Sequence, residues 1–344
     1  MIELKRDKLC FSFPEVHKDA KLTIHMQRTL RIPDDGKRYP LPPGLGNFPL
    51  RHVDDFSSNV PAVWRKRGGV MMPMYQSEAL WLRFENNYLP GRGTAYPFAI
   101  KIATGKINAV NGEQWTNGLN SREQDYVVSP GQPWLDGYCV EKGLIRQFVA
   151  MPLGAGYTAE EQITGEAEHG GMQLIVYPMK AAEFEKRFPK RKDILMRKRA
   201  MSFGGSDDDL CISLCDMGLA PGGTMEQDIS DDPFGYKVWE HDVSSRCFVH
   251  LANSMTWKSI TGKNPPHPPM SAKQYSKHGM PWFEFYSDQP AIEGSATLNQ
   301  LKSVKEVGEL KGDKPLPENE STVPSNIQVV SNKRTKHQVR EGKF

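Results

Sequence analysis

The sequence predicts a mainly β protein: a sandwich or barrel-like core with a few short helices and a disordered C-terminal tail. Three observations carry this expectation. Runs of apolar, β-branched and aromatic residues are short and bounded by Gly, Pro and Asn. Helical periodicity is scarce. Residues 311–344 have no aromatic before Phe344 and no periodic apolar pattern, so burial cannot offset the entropy of ordering them.

Taken in order, the 30–75 region is irregular, with Pro33, Pro40, Pro42, Pro43, Pro49, Pro61 and Pro73 around a turn at Gly44-Leu45-Gly46. It reads as an extended wrapping segment, or as a wall over a site. Strands are expected at 79–84 and 97–102. The Asn111-Gly112 pair in 105–112 signals a hairpin. A second hairpin runs from 137–143 into 144–150, turning at Glu141-Lys142-Gly143, and a further strand at 172–177 stops at Pro178. Thr158 with Glu161 forms a capping-box pattern for a short helix limited by Gly165. Phe184 and Phe188 stand at i,i+4 in a helix over 181–188 that ends at Pro189. Beyond Gly204-Gly205, strands are expected at 209–215, 236–239 and 246–251, and a helix over 271–279 capped by Ser271. This divides the chain into a β-rich lobe at 1–185 and a basic linker or insert at 186–204. A second β-rich part at 205–310, packing with the first, and the tail at 311–344 follow. No internal repeat is present.

The charge is distributed unevenly. The chain carries 44 Lys+Arg against 41 Asp+Glu, a net +3. The tail alone, with Lys311, Lys314, Lys333, Arg334, Lys336, Arg340 and Lys343 against Asp313, Glu318, Glu320 and Glu341, accounts for that excess, so residues 1–310 are neutral. Within them, 186–199 holds Lys186, Arg187, Lys190, Arg191, Lys192, Arg197, Lys198 and Arg199 against Asp193. The adjoining 206–242 is strongly acidic, with Lys237 its single base. Such runs form solvated faces, or the basic one meets nucleic acid with the help of the tail. Phe188 is the one aromatic in the basic run, which gives no stacking platform.

No window reaches the 18 apolar residues that a membrane-spanning helix needs. The N-terminus is charged from Glu3, unlike a signal peptide. The five cysteines suit free thiols in a reducing compartment. A soluble, cytoplasmic protein is therefore expected. Phosphate-binding glycine loops, nucleophile-elbow serines, paired zinc histidines and Cys-x-x-Cys are all absent.

Four constellations remain. His52, Asp54 and Asp55, joined by His241 and Asp242, offer nitrogen and oxygen ligands for a divalent metal ion; in an extended chain His52 and Asp54 share a face. Cys211 and Cys215 lie too far apart on a strand to share zinc, at about 13 Å, and are neighbours only on a helix. Residues 228–232 are oxygen-rich, but Pro233 stands where a calcium loop requires Gly. Finally, Trp134 and Trp282 each follow a proline and precede an acid by two residues, Asp136 and Glu284. Tyr286 closes the second cluster. A stacking pocket is expected where these meet Trp81, His250 and the Pro-rich wall. The leading expectation is a binding or interaction protein without a catalytic motif; the alternatives are a divalent-metal-assisted hydrolase using the His/Asp set and a nucleic-acid-associated protein.

Overall fold

The computed structural model describes residues 1–190, 216–286, 290–324 and 326–331. The strand expected at 209–215 with Cys211 and Cys215, the basic residues Arg191, Lys192, Arg197, Lys198 and Arg199, and the tail beyond 331 lie outside them.

The protein is mostly β, as the short apolar and aromatic runs predict. The principal strands are β1 (Lys8–Ser12), β2 (Lys21–Leu30), β3 (Gly44–Asn47), β4 (Val70–Pro73), β5 (Glu78–Asn86), β6 (Phe98–Thr104) and β7 (Trp134–Leu135). They continue with β8 (Gly137–Glu141), β9 (Leu144–Pro152), β10 (Met172–Pro178), β11 (Asp216–Glu226), β12 (Ser245–Ala252), β13 (Trp282–Tyr286) and β14 (Ile327–Ser331). One wing of the main sheet runs β1-β2-β5-β9-β11, each neighbour antiparallel. A two-residue pairing of Asp216 and Met217 with Ala252 and Leu251 joins it to a second wing, β12-β10-β6. Side chains of both wings, such as Ile24 and Leu82 with Ile100 and Leu174, share one apolar cluster. Burying each such side chain contributes about 1.5–3 kcal/mol.

The helices are short, and the one at Val304–Lys311 packs Val304 and Val307 with Ala79, Val149 and Ala220 of β5, β9 and β11. Three of them open on reciprocal caps, Thr158 with Glu161, Ser271 with Gln274 and Ser303 with Glu306. The first two match the sequence reading, and Gly165 ends the first in the left-handed region at φ 76. The sequence expectations include neither the helix at Val304–Lys311, although its Ser303 and Glu306 have the same cap spacing, nor the long strand β11.

Two local expectations are corrected. The 236–239 segment is a 3-10 turn at Tyr236–Val238 instead of a strand. Gly235, at φ 85, bends the chain there, and the Trp239 indole N–H donates back to Asp232 Oδ2 at 2.9 Å. The hairpin turn after β6 falls at Gly105-Lys106, both at positive φ, with Ala103 and Thr104 paired to Asn108 and Ile107. Asn111-Gly112 makes a separate reversal, built on Asn108 Oδ1 accepting from the Val110 N–H at 2.8 Å.

The described residues of 311–324 and 326–331, read as the beginning of the tail, run over the body. The Tyr157 hydroxyl donates to Asp313, the Tyr39 hydroxyl to the Thr322 carbonyl, and β14 pairs in parallel with β13. Among the described residues, no helix is long and apolar enough to cross a membrane.

Candidate functional site

Strand alternation builds the site. On β5, Leu80, Leu82 and Phe84 point into the core, which sends Trp81 and Arg83 to the outer face. The short strand β7 pairs antiparallel with β5, Trp134 opposite Arg83 and Leu135 opposite Leu82. Leu135 is fully buried, so Trp134 and, two residues on, Asp136 take the outer face with Trp81. Trp81 is therefore the diagonal neighbour of Trp134, within reach for aromatic rings. Their centroids stand 6.1 Å apart and their planes cross at 87°.

The Pro-rich segment closes over this corner. Leu41 exchanges both backbone hydrogen bonds with Phe283, at 2.8 and 2.9 Å, which pins the wall to β13. Pro42 and Pro43 follow, and Gly44 begins β3. A Cβ on Gly44 would lie 3.0 Å from Trp81 Cζ2, so glycine lets the wall come this close to the indole. The result is a cleft of about 230 Å³ lined by Leu41, Pro42, Pro43, Gly44, Trp81, Trp134, Asp136 and Phe283.

Two buried glutamines fix the floor. Gln227 donates from Nε2 to Asp136 Oδ2 at 2.8 Å and accepts from the Asp136 backbone N–H at 3.1 Å. Gln132 donates to the carbonyls of Trp134 and Asp228 and accepts from the Ser230 N–H. Together they tie 132–136 to 227–230, a long-range brace with no local sequence pattern. Asp136 itself is 4% exposed. Burial pushes its carboxyl up to about 7, against hydrogen bonds from Trp134 and Gln227 that pull it down. The Trp81 indole nitrogen is buried without a hydrogen-bond partner.

The raised Asp136 pKa has a consequence for stability. Between its ordinary value of 3.8 and about 7, the folded protein holds a proton that the unfolded chain has lost. This group's stabilising share is complete below pH 3.8 and is lost as pH rises through about 7. Asp136→Asn is expected to flatten that limb of the stability-versus-pH curve, measured by urea unfolding from pH 4 to 8.

The other expected site residues separate. Trp282 is fully buried, between Tyr39 and Tyr275, and it is its neighbour Phe283 that reaches the cleft. Tyr286 ends β13, and its side chain lies outside those described. His250 is not at the cleft. Its ring stacks between Trp64, at 4.6 Å, and Phe248, at 4.3 Å, and its Nε2 bonds the Gly68 carbonyl. Burial drives its pKa down to about 4, so it packs as a neutral aromatic.

The His/Asp set is not assembled. His52 ends a two-residue strand, and the chain turns into a 3-10 helix at Asp54, so the extended geometry that would align them is missing. Asp54 and Asp55 are exposed, as is Asp242, while His241 packs on Tyr236 with Nε2 bonded to the Tyr236 carbonyl. Among the described residues, no group of three or more His, Cys, Asp or Glu is placed to hold a metal ion. In the oxygen-rich 228–232 loop, Asp232 serves Tyr126, Trp239 and the Phe234 N–H. Of the basic run, Lys186 and Arg187 turn to Glu183, and Lys190 is exposed.

Comparison with known proteins adds nothing to this geometry: no protein family, no curated protein and no solved structure matches the chain.

Proposed function

We propose that the chain is a binding protein whose ligand seats in the cleft between Trp81 and Trp134. One observation carries this reading: two indoles crossing at 87° on the outer face of the sheet, with the buried Asp136 carboxyl beside them under a proline wall. Concave, mostly apolar sites with a single placed polar group are the usual form of a ligand pocket. Paired aromatic rings supply area at little entropic cost, and the glutamine brace holds the polar group in a fixed place.

A thermal-shift panel of small molecules tests the reading. A ligand at about 100 times its Kd adds about 2.7 kcal/mol to the folded state. Compounds that raise the melting temperature of the wild type are expected to lose that effect in Trp134→Ala. Because Trp134 is half-buried and outward-facing, that variant is expected to fold. Hits that stabilise both proteins equally would place binding elsewhere.

A further inference from the structure

The cleft combines two features that point to one ligand chemistry. Its lining brings together the rings of Trp81, Trp134 and Phe283 with Pro42 and Pro43, the two indoles crossing at 87°. Its polar group, Asp136, is an acid without a cationic partner. The influences on its carboxyl are burial, Trp134 and Gln227. None comes from the ionisable side chains on the elements around it. Arg83 on β5 faces Glu85 at 3.7 Å, and Arg146 on β9 faces Glu306 at 3.1 Å. Asp228, beside the glutamine brace, bears on Cys139 and Lys142, and Glu284 on β13 has no effect on Asp136.

A buried acid normally keeps a countercharge or stays neutral. Here the chain supplies aromatic faces instead, whose negative quadrupoles attract a cation, above all one with an apolar shell. Resting on the reading of the cleft as a ligand site, we infer that its occupant carries a methylated ammonium head group, caged by Trp81, Trp134 and Phe283 and neutralised by Asp136. Binding then exchanges charges at one place: the Asp136 carboxyl releases its proton to solvent and the ammonium takes over as its partner. Below the pH at which the free carboxyl ionises, each bound cation displaces a proton, so affinity rises with pH and levels off above about 7.

The experiment titrates the full chain with choline and with 3,3-dimethylbutan-1-ol, its uncharged isostere, by calorimetry at pH 5.5, 7 and 8. N-acetyl-trimethyllysine amide is run in parallel; the tighter of the two cations tells whether the head group belongs to a free small molecule or to a modified side chain. The inference expects a cation to bind at least tenfold more tightly than the isostere at pH 8. It also expects about tenfold weaker binding per pH unit below neutrality, and loss of both effects in Asp136→Asn. Isostere and cations binding alike, or cation affinity unchanged from pH 5.5 to 8, would overturn it. If the panel yields neutral ligands that depend on Trp134 while neither cation binds, the inference falls and the cleft reading stands. If nothing depends on Trp134, both fall.

Discussion

Lys101→Met is expected to destabilise the fold by about 3–5 kcal/mol, the usual cost of leaving one member of a buried ion pair unopposed. Lys101 and Asp125 are each 2% exposed, with Nζ and Oδ2 2.5 Å apart. Lys101 sits on β6 in the second wing of the sheet, where a lone lysine among apolar residues looks out of place. Its ammonium also donates to the carbonyls of Thr116, at 3.0 Å, and Gly118, at 2.8 Å, and lies over the Trp115 ring. The pair thus fastens the whole 115–125 loop to the core, and the loop's long irregular course depends on it. Urea unfolding of Lys101→Met and of Lys101→Met/Asp125→Leu separates the two contributions. The double variant removes both charges and is expected to recover part of the loss. A single-variant loss below about 1 kcal/mol would mean that the pair is solvated in spite of its burial.

The second large effect is expected at Gly137, where β8 begins directly after Asp136. A Cβ there would lie 1.9 Å from the Arg146 carbonyl oxygen and 3.0 Å from the Gln147 Cα, both backbone atoms of the paired strand. No side-chain rotation relieves that contact, so β8 and β9 must separate. Gly137→Ala is expected to cost about 1–3 kcal/mol, in the range of other overpacking changes. Since Asp136 precedes the displaced residue and its backbone N–H is held by Gln227, the same substitution is expected to loosen the floor of the cleft. Denaturant unfolding reads the first effect, and loss of ligand-induced thermal shift reads the second. A variant of wild-type stability would show that the strands yield at this point without cost.

The parts of the fold that were legible in the sequence are those fixed by local rules. Short apolar, β-branched and aromatic runs located β5 and β10, the Glu141-Lys142-Gly143 turn located the β8–β9 hairpin, and the Thr158 and Ser271 caps located two helices. The misplaced elements depended on individual short-range bonds and left-handed residues. Tyr236–Val238 turns because Trp239 is tied to Asp232, and no periodicity reports such a bond. For the site, of the expected Trp81, Trp134, Asp136, His250, Trp282 and Tyr286, the first three line one cleft with the Pro-rich wall. The i,i+2 spacing of Trp134 and Asp136 was its readable sign, because on a strand it puts both on one face. Gln227 and Phe283 were not readable. The first acts from 91 residues away, and the second belongs to a cluster in which Trp282 looked the stronger candidate. His250 misled for the opposite reason: a histidine near aromatics has the same composition whether it serves a ligand or, as here, packs between Trp64 and Phe248.

The most direct measurement watches the tryptophans themselves. The chain has seven, so its indole N–H groups give seven proton–nitrogen resonances, assignable by single substitutions. Titration with a compound from the thermal-shift panel is expected to move the Trp81 and Trp134 resonances at the lowest ligand concentrations, with Trp282, buried behind the cleft, following weakly or not at all. Ligands that shift other indoles and leave Trp81 and Trp134 unmoved would contradict the assignment of this cleft as the binding site.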